Sequence, residues 1–186
     1  MKKYCIYAVL MLVSGICNAQ FVLTPTAGLV AENGVYTISR NGTEKENYDV
    51  VKEAIAAVYE DAEIGEEEIE KTVLATIVYK KRFKQAGALV AADHKMEFTL
   101  RFETEDGKIN VSFTKTGEWE TRTKKGELIQ IIHMDMGKNN PLKSTGNFHM
   151  FNSKGQIAKG GKKAKEQYEQ IANEIVKSIE NEIMKR

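Results

Sequence analysis

MEFTLRFETEDGKINVSF, from Met96 to Phe113, is the stretch on which the fold turns. Met96, Phe98, Leu100 and Phe102 alternate with Glu97, Thr99, Arg101 and Glu103, a period of two that gives a strand one apolar face and one wet face. Glu105-Asp106-Gly107-Lys108 supplies a tight turn, and Ile109, Val111 and Phe113 resume the alternation on the return strand. An antiparallel hairpin of this kind needs a second layer over its apolar face.

Upstream, Thr72 to Phe83 (TVLATIVYKKRF) is dense in Val, Ile and Thr and reads as a long strand, joined to the hairpin by a small-residue connection, Gln85 to Asp93. Before it, Thr43 with Glu46 three residues on predicts a capping box. The helix it opens carries Tyr48, Val51, Ala54, Ile55 and Val58 on one face. The acidic segment Glu60 to Glu70, with Gly65 inside it, is expected to end that helix. Val35 to Ile38 reads as a short strand between Asn33-Gly34 and Asn41-Gly42, and Phe21 to Ala31 as a partly extended lead-in.

Downstream, Thr116 to Gly126 reads as turn-rich, Glu127 to Met134 as a further strand, and 137–161, poor in apolar residues, as an irregular loop. From 162 to 186 a stripe of Ala164, Tyr168, Ile171, Ala172, Ile175, Ile179 and Ile183 marks a long amphipathic helix. The order is strand, helix, four strands, helix, which makes an α+β two-layer sandwich, an antiparallel sheet covered by two helices. Residues 28–134 form its expected core, within one domain spanning 20–186.

The amino end has a separate role. Lys2 and Lys3 precede an uncharged run from Tyr4 to Ile16, and small residues follow at Cys17-Asn18-Ala19, the pattern of a secretory leader cut between Ala19 and Gln20. The run is too short to span a bilayer, so no transmembrane span is expected after cleavage, and the product is placed in the periplasm or on the outer surface. Cys5 and Cys17 are the two cysteines of the chain, and both leave with residues 1–19. The remaining 167 residues, 186 less nineteen, can form no disulfide, thiolate metal site or cysteine nucleophile. Loss of Lys2 and Lys3 moves the formal charge from +1 to −1, so there is no global basic footprint for nucleic acid.

The chain resembles the exported bacterial proteins catalogued as domain of unknown function 4468, with a fold similar to the TATA-binding protein. The resemblance runs from Gly28 to Phe113: Gly28-Leu29-Val30 and the short strand, the helix around Glu46-Asn47-Tyr48-Asp49-Val50-Val51, the strand at Val73 to Tyr79, and the Glu105-Asp106-Gly107-Lys108 hairpin. It implies a strand-helix-four-strand-helix fold and an envelope location, and it implies no activity or site residues. The fold's namesake is no warrant for DNA binding.

Chemistry is sparsely marked. The histidines His94, His133 and His149, with Asp93 beside the first and Asp135 near the second, are the material for a metal-dependent enzyme or hydrolase, although their spacing matches no zinc motif. None of Ser39, Ser112, Ser144, Ser153 and Ser178 stands in a nucleophile elbow, and Glu66-Glu67-Glu68 reads as solvated carboxylates. Gly160-Gly161-Lys162 lacks the spacing and the leading strand of a phosphate loop, and no cofactor is called for. Lys159, Lys162 and Lys163 crowd a helix amino end, where an anion would relieve the repulsion. Trp119 is expected to be partly buried at the sheet edge. The leading expectation is a non-enzymatic binding module of the cell envelope, taking a small ligand or an envelope protein. A hydrolase or metal-dependent enzyme on the histidines is the alternative, and an inhibitor or chaperone-like partner of another envelope protein the third.

Overall fold

The structure, a computed structural model, describes residues 20–67, 71–83, 91–137, 146–159 and 161–186. The expected leader, 1–19, lies outside the described residues, as does most of the connection from Gln85 to Asp93. Nine strands and two helices follow in order among them: β1 (Phe21–Thr24), β2 (Gly28–Ala31), β3 (Tyr36–Ser39), α1 (Glu44–Val58), β4 (Glu63–Glu67), β5 (Thr72–Phe83), β6 (Ala92–Glu105), β7 (Lys108–Arg122), β8 (Leu128–Met136), β9 (Gly146–Phe151) and α2 (Lys162–Ile183). The fold is α+β with a mostly antiparallel sheet, and the expected series is present as β3, α1, β5 to β8 and α2.

Four strands are additional, and each has a physical reason for escaping a reading of composition. β1 and β2 pair as a hairpin inside the expected lead-in, with Phe21, Leu23, Leu29 and Ala31 buried in a period of two too short to stand out. β4 pairs with β5 inside the acidic segment, where an edge strand tolerates charge. β9, inside the expected loop 137–161, runs parallel to β8, with Phe148 and Met150 turned inward amid polar neighbours. β7 continues through the piece expected to be turn-rich. Gly117 there marks an irregular register between β6 and β7, because a Cβ at Gly117 would lie 2.6 Å from the Glu97 carbonyl oxygen.

The large sheet runs β4-β5-β6-β7-β8-β9, and β3 also pairs with β7. β7 is long enough to serve β3 at Lys108 to Val111 and β8 at Trp119 to Arg122 along the same edge. Its inner face, with Val73, Ile77, Met96, Phe98, Leu100, Phe102, Val111 and Trp119, is covered by both helices. Tyr168 of α2 lies 5.0 Å from the Phe98 ring and 6.5 Å from the Trp119 ring, centroid to centroid. Trp119 is fully buried there, in a central strand, where partial burial at an edge was expected. Each such aromatic contributes about 1.5–3 kcal/mol through burial.

The start of α1 is bonded to the β6–β7 turn. Thr43 and Glu46 form both halves of the capping box. The amide of Glu44 donates to Asp106 Oδ1 at 2.7 Å, and the amide of Gly107 to the Gly42 carbonyl at 2.9 Å. Asn47, fully buried, donates through Nδ2 to the Glu105 carbonyl at 2.7 Å and accepts from Arg40 Nη1 at 2.9 Å. An amide side chain in a helix interior, usually a weak helix former, is here the link between layers.

Candidate functional site

The three histidines divide between the two faces of the sheet. His94 points inward and is 2 % exposed, with its ring stacked on Phe83 at 3.9 Å. Trp119 Nε1 donates to His94 Nδ1 at 2.9 Å, and His94 Nε2 lies 3.2 Å from the Phe83 carbonyl oxygen. Indole nitrogen only donates, so Nδ1 is the acceptor and the imidazole proton sits on Nε2. Burial lowers the pKa of His94, against smaller upward effects of the Phe83 carbonyl and Asp93. Asp93 itself pairs with Arg82 at 2.9 Å on the other face.

His133 and His149 stand on the outer face, opposite each other in the β8–β9 register, with ring centroids 4.8 Å apart and planes at 23°. His133 Nδ1 lies 2.9 Å from Glu118 Oε1, and His149 Nδ1 lies 2.8 Å from Asp135 Oδ1. An ionised carboxylate only accepts, so each Nδ1 donates. The His149 ring lies over Gly137, where a Cβ would come within 2.3 Å of it. Beside this pair is an open cleft of about 410 Å³, lined among others by Lys95, Glu97, Lys115, Glu118, His133 and Asp135. Its walls carry both signs of charge, and Lys115 reaches Glu97 at 3.7 Å. Among the described residues, no group of three or more His, Cys, Asp or Glu is placed to hold a metal ion.

Lys159, Lys162 and Lys163 are exposed around the start of α2, whose N-cap is Gly161 with no side-chain cap. Lys162 reaches Glu166 one turn on at 4.0 Å, so one of the three cations has an anionic neighbour within the helix.

A larger concavity, about 1000 Å³, lies where α2 passes the edges of β1 and β3. Along α2 it is lined by Glu166, Glu169, Gln170, Asn173, Lys177 and Glu180, which recur at three and four residues and so form one polar face. Beneath them are the buried Phe21, Ile38 and Val176. The two strand edges are treated differently. Along β1, the amide of Phe21 donates to Asn173 Oδ1 at 2.8 Å, Asn173 Nδ2 donates to the Phe21 carbonyl at 3.0 Å, and the amide of Leu23 donates to Glu169 Oε1 at 2.6 Å. At β3 the crossing contact is made by a side chain, the Tyr36 hydroxyl donating to Glu180 Oε2 at 2.6 Å. Burial, then Glu180, raises the pKa of Tyr36 above its ordinary value.

No protein-family model matches the sequence, and no curated protein does. Two solved structures are similar to it in fold. A TBP-like protein from Parabacteroides distasonis ATCC 8503 is similar with a TM-score of 0.51 at 9% identity, over 81% of this chain and 92% of that one. A DUF4468 family protein from Bacteroides ovatus ATCC 8483 is similar with a TM-score of 0.50 at 10% identity, over 87% and 92%. The chain has the TBP-like fold. At such identities the likeness concerns fold alone, and it agrees with the resemblance carried by Gly28 to Phe113.

In this TBP-like fold the residues that shape the large groove were not legible beforehand. Asn173 and Glu169 read as solvent residues on the polar face of α2, and nothing local marks them as partners of a strand more than a hundred residues away. The available signal was the hidden alternation of Phe21 and Leu23, which implies an edge that something must satisfy. Among the described residues, no helix is long and apolar enough to cross a membrane.

Proposed function

We propose that the mature chain is a non-enzymatic binding module of the bacterial cell envelope, and that its working surface is the groove between α2 and the edges of β1 and β3. The observation that carries this is the groove's construction: about 1000 Å³ of open concavity with an apolar floor and a polar helical wall. Buried apolar surface with a few placed polar groups is what a binding cleft needs. The amino-terminal leader pattern supports the envelope location. An inhibitor or chaperone-like role toward another envelope protein is a special case of the same surface.

A photo-crosslinking residue at Gln170, on the groove wall, tests this in cells against one at Lys115, on the open sheet face. A discrete adduct from Gln170 and none from Lys115 is expected. An adduct from Lys115 alone would move the working surface to the histidine face and revive the enzyme alternative there.

A further inference from the structure

We infer that the groove receives an extended, lysine- or arginine-rich polypeptide segment, which adds as a strand to the outer edge of β3 beneath α2. This rests on reading the groove as the working surface. β3 has β7 as its strand partner through Tyr36↔Val111 to Ser39↔Lys108, and no described strand pairs with its other edge. All four consecutive residues, Tyr36, Thr37, Ile38 and Ser39, line the groove. Successive side chains of a strand point to opposite faces, so a cavity touching all four runs along the edge and not over one face. Alternate residues of β3 therefore turn N–H and C=O groups toward the groove, the template that strand addition uses.

The contrast with β1 sharpens this. The β1 edge facing α2 has its amides and carbonyl taken by Asn173 and Glu169, a local protection of an exposed edge. No side chain of α2 is bonded to the β3 backbone among the described residues.

Charge selects the occupant. The charged lining residues are Glu166, Glu169, Glu174 and Glu180 against Lys177. Lys165 pairs with Glu169 and Lys162 approaches Glu166, but Glu174 and Glu180 form no ion pair among the described residues. An alternating basic and apolar strand fits both requirements, with apolar side chains against the accessible Val22, Tyr36 and Met184 and cations toward the α2 carboxylates.

The protein purified from its host is titrated calorimetrically with an extended peptide of alternating lysine and valine, then with its glutamate and valine counterpart, while amide exchange is followed along β3. The lysine peptide is expected to bind, to weaken as salt rises, and to protect alternate amides of β3. Glu180→Gln keeps an oxygen for the Tyr36 hydroxyl and is expected to weaken binding about two- to five-fold, the effect of one partly screened charge pair. Methylating the lysine peptide's amides along one edge should abolish binding. Equal binding of the glutamate peptide, protection away from β3, or self-association through β3 would each overturn the inference. A Gln170 adduct combined with no lysine-peptide binding would sink the basic-strand inference and leave the binding-module reading standing; an adduct from Lys115 alone would sink both.

Discussion

Replacing His94 by alanine removes a buried ring that ties β6 to β7 through Trp119. The substitution leaves the Trp119 N–H without its 2.9 Å acceptor and the Phe83 carbonyl without its neighbour at 3.2 Å, and it empties the space between the Phe83 and Trp119 rings. A stranded buried polar group costs about 1–3 kcal/mol, and a large-to-small core change about 2–5 kcal/mol. The two overlap at one site, so a loss of about 3–5 kcal/mol is expected, a large part of a marginal total. Trp119 is the single tryptophan of the chain, so its fluorescence in urea reports unfolding at the perturbed place itself. Far-UV circular dichroism checks that the transition is common to the whole fold.

The same geometry sets a pH dependence. Neutral His94 accepts from Trp119; protonated His94 would present a second N–H to that donor. Its folded pKa is lowered, chiefly by burial, from the ordinary 6.5. The unfolded state therefore binds the proton first as acid is added. The stability contributed by this group is full above about pH 6.5 and is lost as the pH falls below that value and through the folded-state pKa. His94→Gln has no such titration, so the difference in stability between the two proteins should shrink as the pH falls from 7 toward 5. A cost below about 1 kcal/mol for His94→Ala, or a difference that stays constant with pH, would refute the tautomer and the burial argument together.

Three further outcomes are expected. Thr43→Ala removes the capping-box hydroxyl of α1 and should cost about 1 kcal/mol in urea unfolding, with Thr43→Ser recovering most of it. Gly117→Ala would drive a Cβ to 2.6 Å from the Glu97 carbonyl oxygen, so β6 or β7 must shift; a melting temperature lowered by several degrees is expected, and an unchanged one would show that the close approach is not required. Amino-terminal sequencing of the protein recovered from its host should begin at Gln20, and a chain still carrying Lys2 and Lys3 would remove the export argument.

What was legible in the sequence follows contact range. The Met96 to Phe113 hairpin, the Thr43 cap and the stripe of α2 are each encoded within a few residues by period or turn chemistry, and each is present as expected. β9 is held by a parallel neighbour, and β1, though paired with the adjacent β2, is only four residues long and has its outer edge bonded by a helix 146 residues away, so neither carries a strong local signature. His94 and His133 show why candidate chemistry was harder still. Both are strand histidines next to or near an aspartate, yet the parity of their positions sends one into the core against Trp119 and the other to the solvent face beside Glu118. Parity in a strand is fixed by register, and register here depends on the irregular pairings of β6, β7 and β8. The groove is the extreme case, because it exists only where three elements from opposite ends of the chain meet. Its walls are polar helix residues that look ordinary in sequence, and their meaning comes from β3, whose outer edge they flank without bonding to its backbone.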